Sequence, residues 1–375
     1  MIKSIKIRLI PTSEQEILMF KSVGVARFAY NWGLNRWREL YSLGEKPNKY
    51  SIKKEFNNII KKQAEYSWLY EVSSKITTQA FFDLSNAFKN FFEGNSKYPK
   101  FKSKKKTKQS FYVRYDRIKF TDGMVHLEKI GNVKYKTNYD IPSLTTYSNP
   151  RCSFDGKYWY LSLGFEHGEN QVIINKDLSV GIDLGIKDLA TINCLDNPIN
   201  NINKTKKVKN LEKRLRRLQR QVARKYEDNK VGNRYNKSNN IIKIERKIKL
   251  LHRKLDNIRN NHIHQATNKI IKLHPYRVVM EDLNISGMMK NKYLSKAIAN
   301  QCFYEFIRQM KYKCEFNKIE FIQVPRFYPS SKMCSSCGEV KKDLKLKDRV
   351  YKCSCGFVMD RDKNASINLA NYRLV

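Results

Sequence analysis

The chain has 375 residues, 41% of them hydrophobic, and this length predicts two or three domains with substantial cores. Lysine and arginine number 74 against 35 acidic residues, so the formal net charge is +39. This excess predicts a large polyanion as the partner. Nucleic acid fits better than an anionic membrane, because neither end carries a basic amphipathic anchor. No run of about 18 apolar residues is present, which excludes a transmembrane helix.

The first half of the chain predicts a β-domain with helices inserted into it. Residues 2–10 alternate apolar and charged side chains, as a strand does, and their lysines argue against a signal peptide. Short strands separated by turns such as Asp122-Gly123 fill residues 110–170. We therefore expect a small β-barrel to which residues 2–10 add a strand. Helical spacing of apolar residues is found over 12–40, 51–64 and 73–93.

A basic run lies between these helices and the short strands. Seven of the twelve residues 97–108 are lysines, and aromatic residues and a proline interleave them. Such a run is usually a solvated face, but in a chain this basic the interleaving favours phosphate contacts. The lysines expected to contact nucleic acid are Lys100, Lys102, Lys104, Lys105 and Lys106.

The second half begins with a strand, a tight turn and a strand over residues 178–194. Two long patterns with apolar residues three and four apart follow, separated by the polar stretch 229–240, and they predict an antiparallel helical hairpin. Its outer faces are basic and suit phosphates, and the arginines expected to contact them include Arg214, Arg217, Arg220 and Arg224. The remaining predicted elements are a strand at 276–281, a helix at 294–311, a strand at 319–325 and a helix at 363–372.

Four of the eight cysteines form a compact pattern. Cys334-Ser-Ser-Cys337 is followed, after fifteen residues, by Cys353-Ser-Cys355. Because nothing indicates secretion, paired short-spaced cysteines predict metal ligands rather than a disulfide framework. Four thiolates fit a closed, structural zinc site, and an iron site or a loop without metal are the alternatives. The expected zinc ligands are Cys334, Cys337, Cys353 and Cys355.

Three acids stand at the ends or starts of predicted elements. Asp183 lies in a strand of small and branched residues, Glu281 ends a buried strand, and Asp362 opens the last helix. Taken singly, they can be explained as a turn residue, a strand end and an N-cap. Together they fit a ribonuclease-H-like nuclease core that binds two Mg²⁺ ions about 4 Å apart and hydrolyses phosphodiesters. The neighbouring acids that are second choices are Asp188, Asp282 and Asp360.

The motifs together resemble those of the TnpB/OrfB family, transposon-encoded relatives of miniature type V CRISPR effectors. The resemblance covers nearly the whole chain, and its last four motifs, in this order, are highly specific. The motifs are Arg8-Leu-Ile-Pro-Thr, Phe28-Ala-Tyr-Asn-Trp32, Pro99-Lys-Phe-Lys102, Gly181-Ile-Asp183-Leu-Gly185, Glu281-Asp-Leu-Asn284, Ser330-Ser-Lys-Met-Cys334-Ser-Ser-Cys337-Gly and Asp360-Arg-Asp362-Lys-Asn364-Ala.

The resemblance implies a multidomain α+β fold, with a wedge-like β-barrel, a helical recognition insert and a RuvC nuclease domain that carries a zinc-binding insert. The RuvC acids correspond to Asp183, Glu281 and Asp362, the last chosen over Asp360 because it stands in Asp-x-Asn. The implied segments are 1–10 and 97–176 for the barrel, 11–96 for the recognition domain, and 177–375 for the nuclease domain, with its basic hairpin at 203–262 and its zinc insert at 328–358.

The resemblance also implies an RNA-guided DNA endonuclease, cytoplasmic and associated with the nucleoid. Its partners would be a guide RNA and a double-stranded DNA target with a short flanking motif; no membrane is implied, and no oligomeric state follows. Two alternatives are an RNA-guided repressor that binds without cutting and a transposase-type nuclease that needs no guide. All three acids are present, which favours cutting over repression, and the large charge excess favours an RNA partner.

Overall fold

The computed structural model describes residues 2–141, 147–166, 168, 173–345 and 348–373. The chain divides into two compact units, Met1–Gly168 and Glu169–Val375. Some predicted segments include a few residues outside this description, namely 1–10, 97–176, 177–375 and 328–358. No helix in the described part of the chain is both long and apolar enough to cross a membrane.

The first unit contains an antiparallel sheet in the order β2-β6-β7-β1-β5-β4-β3. Strand β1 lies at its centre, so the prediction that residues 2–10 join the later strands is confirmed. The strands are β1 (Ile2–Ile10), β2 (Gln109–Tyr112), β3 (Lys119–Thr121), β4 (Met124–Leu127), β5 (Gly131–Lys136), β6 (Ser148–Phe154) and β7 (Trp159–Glu166).

This sheet is curled. The ring of Phe120, on edge strand β3, lies 5.9 Å from the ring of Tyr147, which directly precedes β6 near the other edge. The curl encloses one side of an apolar core. Between the described residues of β2 and β3 no ladder closes the sheet, so its form is half a barrel where the sequence predicted a barrel.

Helices inserted between β1 and β2 cover the core, as predicted. A capping box between Thr12 and Gln15 begins the first helix, and stacked rings of Trp37 and Phe88, 4.6 Å apart, join it to the third. The helices are α1 (Ser13–Ser42), α2 (Lys49–Glu55) and α3 (Ser74–Phe92), with a π-helical turn at Phe56–Ile60 and a 3₁₀ helix at Ala64–Glu71.

The second unit is a mixed sheet with helices and two small hairpins. Its strands are β8 (Asn175–Leu184), β9 (Asp188–Ile192), β10 (Ile199–Asn200), β11 (Lys230–Val231), β12 (Arg234–Tyr235), β13 (Pro275–Glu281), β14 (Glu320–Val324), β15 (Val350–Lys352) and β16 (Val358–Asp360). Its helices are α4 (Lys206–Asp228), α5 (Asn239–Ile271), α6 (Ile285–Met288), α7 (Ser295–Gln301), α8 (Phe303–Phe316) and α9 (Arg361–Ala370).

The main sheet of this unit has the order β10-β9-β8-β13-β14. Strands β8, β13 and β14 are parallel, whereas β9 is antiparallel to β8. Because parallel neighbours run the same way, the carboxyl ends of β8, β13 and β14 meet at one edge. Asp183, one residue before the end of β8, and Glu281, the last residue of β13, lie at that edge.

Helices α4 and α5 form the predicted antiparallel hairpin. Apolar side chains, among them Leu215 and Leu255, form its seam, and the β11–β12 hairpin lies in the polar stretch between the helices. The prediction of one helix over 294–311 is wrong. Cys302 has a φ of +55°, a left-handed conformation that ends α7 and begins α8.

Helix α9 lies directly on β8. A Cβ at Gly181 would lie 2.0 Å from the carbonyl oxygen of Ser366 and 2.4 Å from the amide nitrogen of Ala370, so the backbones touch only because residue 181 has no side chain. Two side chains fix the carboxyl end of α9: Ser179 Oγ and Arg277 Nη2 donate to the carbonyl of Ala370 at 2.6 and 2.7 Å.

The amino end of α9 is fixed by an ammonium group. Lys363 Nζ donates to the carbonyl oxygens of Ile192, Asn193 and Leu195 at 3.2, 2.8 and 2.7 Å, just after β9 ends. A lysine ammonium has three donors, and here all three point at the same turn. The helix therefore has one position along the sheet.

Replacing Gly181 with alanine is expected to lower the free energy of unfolding by about 3 kcal/mol, since the methyl group overlaps backbone atoms that cannot rotate away. For a unit of this size the melting temperature should fall by about 6–12 °C, measured by circular dichroism.

The matched control is Gly24→Ala in α1, where no atom lies within 4 Å of the added methyl group. This change should leave stability unchanged or raise it by up to about 1 kcal/mol. Equal melting temperatures for the two variants would show that α9 does not need the bare backbone at residue 181.

Candidate active site and nucleic-acid surfaces

Two of the three predicted acids lie on adjacent parallel strands. Met280 pairs with Ile182 in the β13–β8 ladder, so Glu281 and Asp183 are the next residues on the two strands. Asp183 is two residues from Gly181 and therefore points to the same face of the sheet, the face that α9 covers. The structure thus brings both carboxylates beneath the amino end of α9.

The third acid lies in the first turn of α9. Asp360 is the N-cap of this helix, and its Oδ1 accepts hydrogen bonds from the amides of Asp362 and Lys363 at 2.9 and 3.1 Å. The N-cap explanation considered for Asp362 is therefore wrong, because Asp360 caps the helix. The carboxylate of Asp362 lies near enough to Asp183 for its charge to raise the pKa of that group.

Each carboxylate of the cluster has its own surroundings. Burial, and then the charges of Glu281 and Asp362, raise the pKa of Asp183 well above its ordinary value. Glu281 accepts a hydrogen bond from the hydroxyl of Ser330. Asp362 lies 3.3 Å from Arg361 Nη2 and 3.8 Å from Arg349 Nη1. The charges of Glu281 and Asp362 thus both act on Asp183, and a cation beside Asp183 would offset their effect.

The second-choice acids are differently placed. Asp282 pairs with Arg326 at 2.8 Å, which neutralises it at the surface, and Asp188 begins β9, beyond the turn that follows Asp183. Asp360 caps α9 through its side-chain oxygen. Asp360 also acts on the pKa of Asp183, but its carboxylate already accepts two amide hydrogen bonds at the helix cap.

The four cysteines of the CxxC and CxC motifs form one cluster. Their sulfur atoms all lie within 4.8 Å of one another, with 3.8 Å between Cys334 and Cys355 and 3.6 Å between Cys337 and Cys353. A tetrahedron with metal–sulfur bonds of about 2.3 Å has edges of about 3.8 Å. Donor type and spacing therefore fit a tetrahedral ion that prefers thiolates. Among the described residues, these four cysteines are the group of three or more cysteine, histidine or acidic side chains whose ligand atoms all lie within 4.8 Å of one another.

Two tight turns bring the sulfurs together. Gly338 and Gly356 have φ values of +81° and +89°, which residues with a Cβ rarely adopt, and each glycine amide donates to a cysteine carbonyl three or four residues earlier. In the sequence each glycine directly follows a cysteine of the cluster, Gly338 after Cys337 and Gly356 after Cys355.

Buried amides connect this thiol cluster to α9. Asn364 Nδ2 donates to the carbonyl of Met333 at 2.7 Å, and its Oδ1 accepts from the amide of Ser335 at 3.0 Å. Asn368 Nδ2 donates to the carbonyls of Ser330 and Met333 at 2.7 and 2.6 Å. The helix that carries Asp362 is thereby bonded to the loop that carries Cys334.

Sequence analysis missed the roles of Ser330, Lys363 and Asn368. Ser330 is buried, and through its hydroxyl and its carbonyl it touches both Glu281 and Asn368. The sequence signal for Ser330 is its place in the Ser330-Ser-Lys-Met-Cys334 motif, which does not by itself indicate a role. Nothing in the pattern indicated that Lys363 would bond to carbonyls after β9.

The basic run of the first unit divides into two kinds of lysine. Lys100, Lys104, Lys105 and Lys106 are exposed. Lys102 is half-buried instead, with its Nζ 3.6 Å from the centre of the Tyr30 ring, and burial lowers its pKa. The side chain of Asn31 bonds both the amide and the carbonyl of residue 102, at 2.8 and 2.9 Å. Lys102 therefore anchors the run to α1, and the exposed lysines are free to meet phosphates.

The arginines predicted on the helical hairpin form an exposed stripe along α4. All four of them, Arg214, Arg217, Arg220 and Arg224, are exposed. Three of them line a shallow groove with Lys213, Arg216, Gln221, Lys225 and Asp228. Cationic side chains at this spacing suit a row of phosphates.

Three family models match the chain. A "Probable transposase" model of the OrfB type matches residues 164–292, a "Cas12f1-like, TNB domain" model matches 303–369, and a "Helix-turn-helix domain" model of OrfB proteins matches 1–46. Despite that last description, the described residues up to 46 form strand β1 and the single helix α1. The match of residues 1–46 to this model is therefore a similarity of sequence, without a helix-turn-helix structure in the described residues.

Relatives match over nearly the whole length. A Streptomyces pristinaespiralis protein named "Putative RNA-guided DNA endonuclease" is 30% identical over 98% of this chain and 88% of its own length. Another, "Putative RNA-guided DNA endonuclease InsQ" of Escherichia coli K12, is 28% identical over 98% and 91%. The fold matches the solved "Cas12f1-sgRNA-target DNA complex" with a TM-score of 0.60 at 13% identity, covering 99% of both chains. With the OrfB models and these full-length relatives, the chain belongs to the TnpB/OrfB family.

Proposed function

We propose that this protein is an RNA-guided DNA endonuclease that cuts phosphodiesters at the cluster of Asp183, Glu281 and Asp362. The convergence of these three carboxylates beneath α9 carries the proposal. The full-length relatives named as RNA-guided DNA endonucleases support the choice of guide and substrate. The guide RNA would pair with a double-stranded DNA target, and the protein would read a short flanking motif.

The donor set fits Mg²⁺. Three carboxylates offer hard oxygen ligands, and burial together with the charges of Glu281 and Asp362 raises the pKa of Asp183. Asp183, Glu281 and Asp362 would hold two such ions. When bound, these ions would lower the pKa of an attacking water and stabilise the leaving oxygen, as in RuvC-type nucleases.

The protein's own groups keep the three ligands in place. Asp183 follows buried Ile182 on a central strand, so its backbone has little freedom. Ser330 holds the carboxylate of Glu281 through its hydroxyl. Arg349 and Arg361 lie beside Asp362 and offset part of the charge that gathers there. Positioning of this kind is what a site for in-line displacement requires.

The thiol cluster would hold zinc. Cys334, Cys337, Cys353 and Cys355 supply four sulfur ligands at tetrahedral spacing and leave no open position, so the ion would be structural. Its effect would reach the acid cluster through the hydrogen bonds of Asn364 and Asn368.

Nucleic-acid binding would use the exposed basic surfaces. The run of Lys100, Lys104, Lys105 and Lys106 and the arginine stripe of α4 are accessible, and the net charge of +39 exceeds what solubility requires. We assign the guide RNA and the DNA target to these surfaces collectively.

The domain assignment belongs to the same proposal. Residues 1–10 and 97–176 would be the wedge, 11–96 the recognition domain and 177–375 the RuvC-like domain, with its hairpin at 203–262 and its zinc insert at 328–358. The division of the chain after Gly168 lies eight residues before the proposed boundary between residues 176 and 177 and supports it at that precision.

Asp183→Ala should abolish cutting and leave target binding near normal. The protein is purified with its RNA, the RNA is sequenced, and DNA matching its variable segment is supplied with Mg²⁺. Loss of one carboxylate ligand should slow cutting by at least about 100-fold. Thermal stability should not fall, because the substitution removes a buried, repelled carboxylate.

The matched control is Asp177→Ala, an exposed aspartate at the opposite end of the same strand, which should cut at the wild-type rate. Undiminished cutting by Asp183→Ala would refute the site. Mg²⁺-dependent cutting of bare DNA without bound RNA would replace the proposal with an unguided nuclease.

Cys334→Ser should release zinc. Metal content measured by mass spectrometry should fall from one zinc per chain to none, because a structural site needs all four ligands. Cys194→Ser, at an exposed cysteine away from the cluster, is the control and should keep its zinc. Unchanged zinc in the Cys334 variant, or iron in the wild-type protein, would contradict the assignment.

Replacing Lys104, Lys105 and Lys106 with glutamine should weaken RNA binding and flatten its dependence on salt. The slope of log K against log salt should lose about 2–3 units if each lysine meets one phosphate. The triple arginine variant keeps the charge and should retain the slope. An unchanged slope in the glutamine variant would assign these lysines to a solvated face.

A further inference from the structure

Phe327 follows strand β14 at the sheet edge that carries Asp183 and Glu281, and it belongs to no apolar core among the described residues. In the β13–β14 ladder Val324 pairs with Glu281, and Phe327 follows three residues later. Adjacent strands lie about 5 Å apart and three residues span at most about 11 Å, so its Cα lies within about 16 Å of the Cα of Glu281. Its side chain is 93% exposed, the most exposed phenylalanine in the described part of the chain.

The loop that carries Phe327 is anchored on both sides of it. Before it, Arg326 Nη2 donates to Asp282 Oδ2 at 2.8 Å, next to Glu281. After it, Tyr328 packs edge-to-face on Tyr372 at 5.0 Å and donates its hydroxyl to the carbonyl of Asn368 at 3.2 Å. Ser330 then bonds Glu281. Phe327 is therefore presented to solvent by a fixed loop.

Exposure alone does not assign a role, because single apolar side chains on a surface are common. The position of Phe327 between two anchored residues is what supports a role for its ring. Its neighbours on both sides, Arg326 and Tyr328, make polar or aromatic contacts, whereas the ring of Phe327 stacks on no other ring among the described residues. The anchored contacts lead to Glu281 and to α9, the two elements that frame the acid cluster.

We infer that Phe327 stacks on an unpaired base of the DNA strand next to the phosphate that is cut. The inference rests on the proposed function. Guide pairing displaces one DNA strand and leaves its bases unpaired. When a phosphate of that strand lies among the three carboxylates, the strand passes the rim of the cluster. An exposed ring there offers a π face that any base can use, so the contact would hold the strand without reading its sequence.

Stacking of one base predicts a specific kinetic effect. Phe327→Ala should slow single-turnover cutting by about 5- to 150-fold at saturating DNA. Target affinity should stay within about twofold, since guide pairing sets it. Phe327→Trp should restore cutting because it keeps a π face, and Phe327→Leu should not, although it keeps the apolar surface. Melting temperatures should be alike, since the side chain is exposed.

Abasic nucleotides make the test specific. Each nucleotide around the cut site is replaced in turn by an abasic one. At one position the wild-type protein should slow by the factor seen for Phe327→Ala, and the variant should show no further loss there. Additive losses at every position, wild-type cutting by Phe327→Ala, or wild-type cutting by Phe327→Leu would each overturn the inference. The last result would point to an apolar protein partner.

A second readout does not depend on cutting. A single-stranded DNA with 2-aminopurine at successive positions is bound to the full-length protein–RNA complex in buffer without Mg²⁺, so that the structural zinc is kept. Quenching at one position that Phe327→Ala removes supports stacking, and equal fluorescence of wild type and variant at all positions overturns it. A wild-type protein that fails to cut its target would refute the proposed function, and this fluorescence would still decide the role of Phe327.

Discussion

Helix α9 lies closer to strand β8 than any residue with a side chain at position 181 would allow. The position of Asp362 relative to Asp183 depends on this contact. A Cβ there would push the helix off the sheet and, with it, the third carboxylate. The three carbonyls that accept from Lys363 fix one end of the helix, and Ser179 and Arg277 fix the other. Backbone contact, rather than side-chain packing, therefore sets the geometry of the acid cluster.

The cluster itself is electrostatically unfavourable. Burial and two neighbouring acids oppose ionisation of Asp183, and the fold compensates only in part, through Ser330 on Glu281 and two arginines near Asp362. Groups that repel one another persist only where the surrounding structure holds them, and such sites are typical of metal-binding and catalytic centres. The buried amides of Asn364 and Asn368 contribute to that support, because each bonds backbone groups of the thiol loop that an apolar side chain would leave unpaired.

The sequence predicted what local pattern encodes. Strand ends at Asp183 and Glu281, the helical hairpin seam and the cysteine turns all follow from short-range periodicity and spacing, and the structure has these elements. Long-range features were not predictable in this way. The sheet order, the open edge of the first sheet and the bonds of Lys363 depend on residues far apart in the chain. One local prediction also failed, because a left-handed Cys302 divides the helix expected over 294–311. The N-cap role considered as an alternative for Asp362 belongs to Asp360. The roles of the acids and thiols remain proposals.

The order of the acids along the chain has a consequence for synthesis. Strands β8 and β13, with Asp183 and Glu281, leave the ribosome well before α9. The hairpin of α4 and α5 comes between the two strands, and the thiol loop comes between β13 and α9. Translation adds about 5–20 residues per second, so many seconds separate the first acid from the last. During that interval the face of β8 at Gly181 is uncovered and the cluster has two of its three acids. A nascent chain that lacks α9 therefore lacks both Asp362 and the helix that covers Gly181.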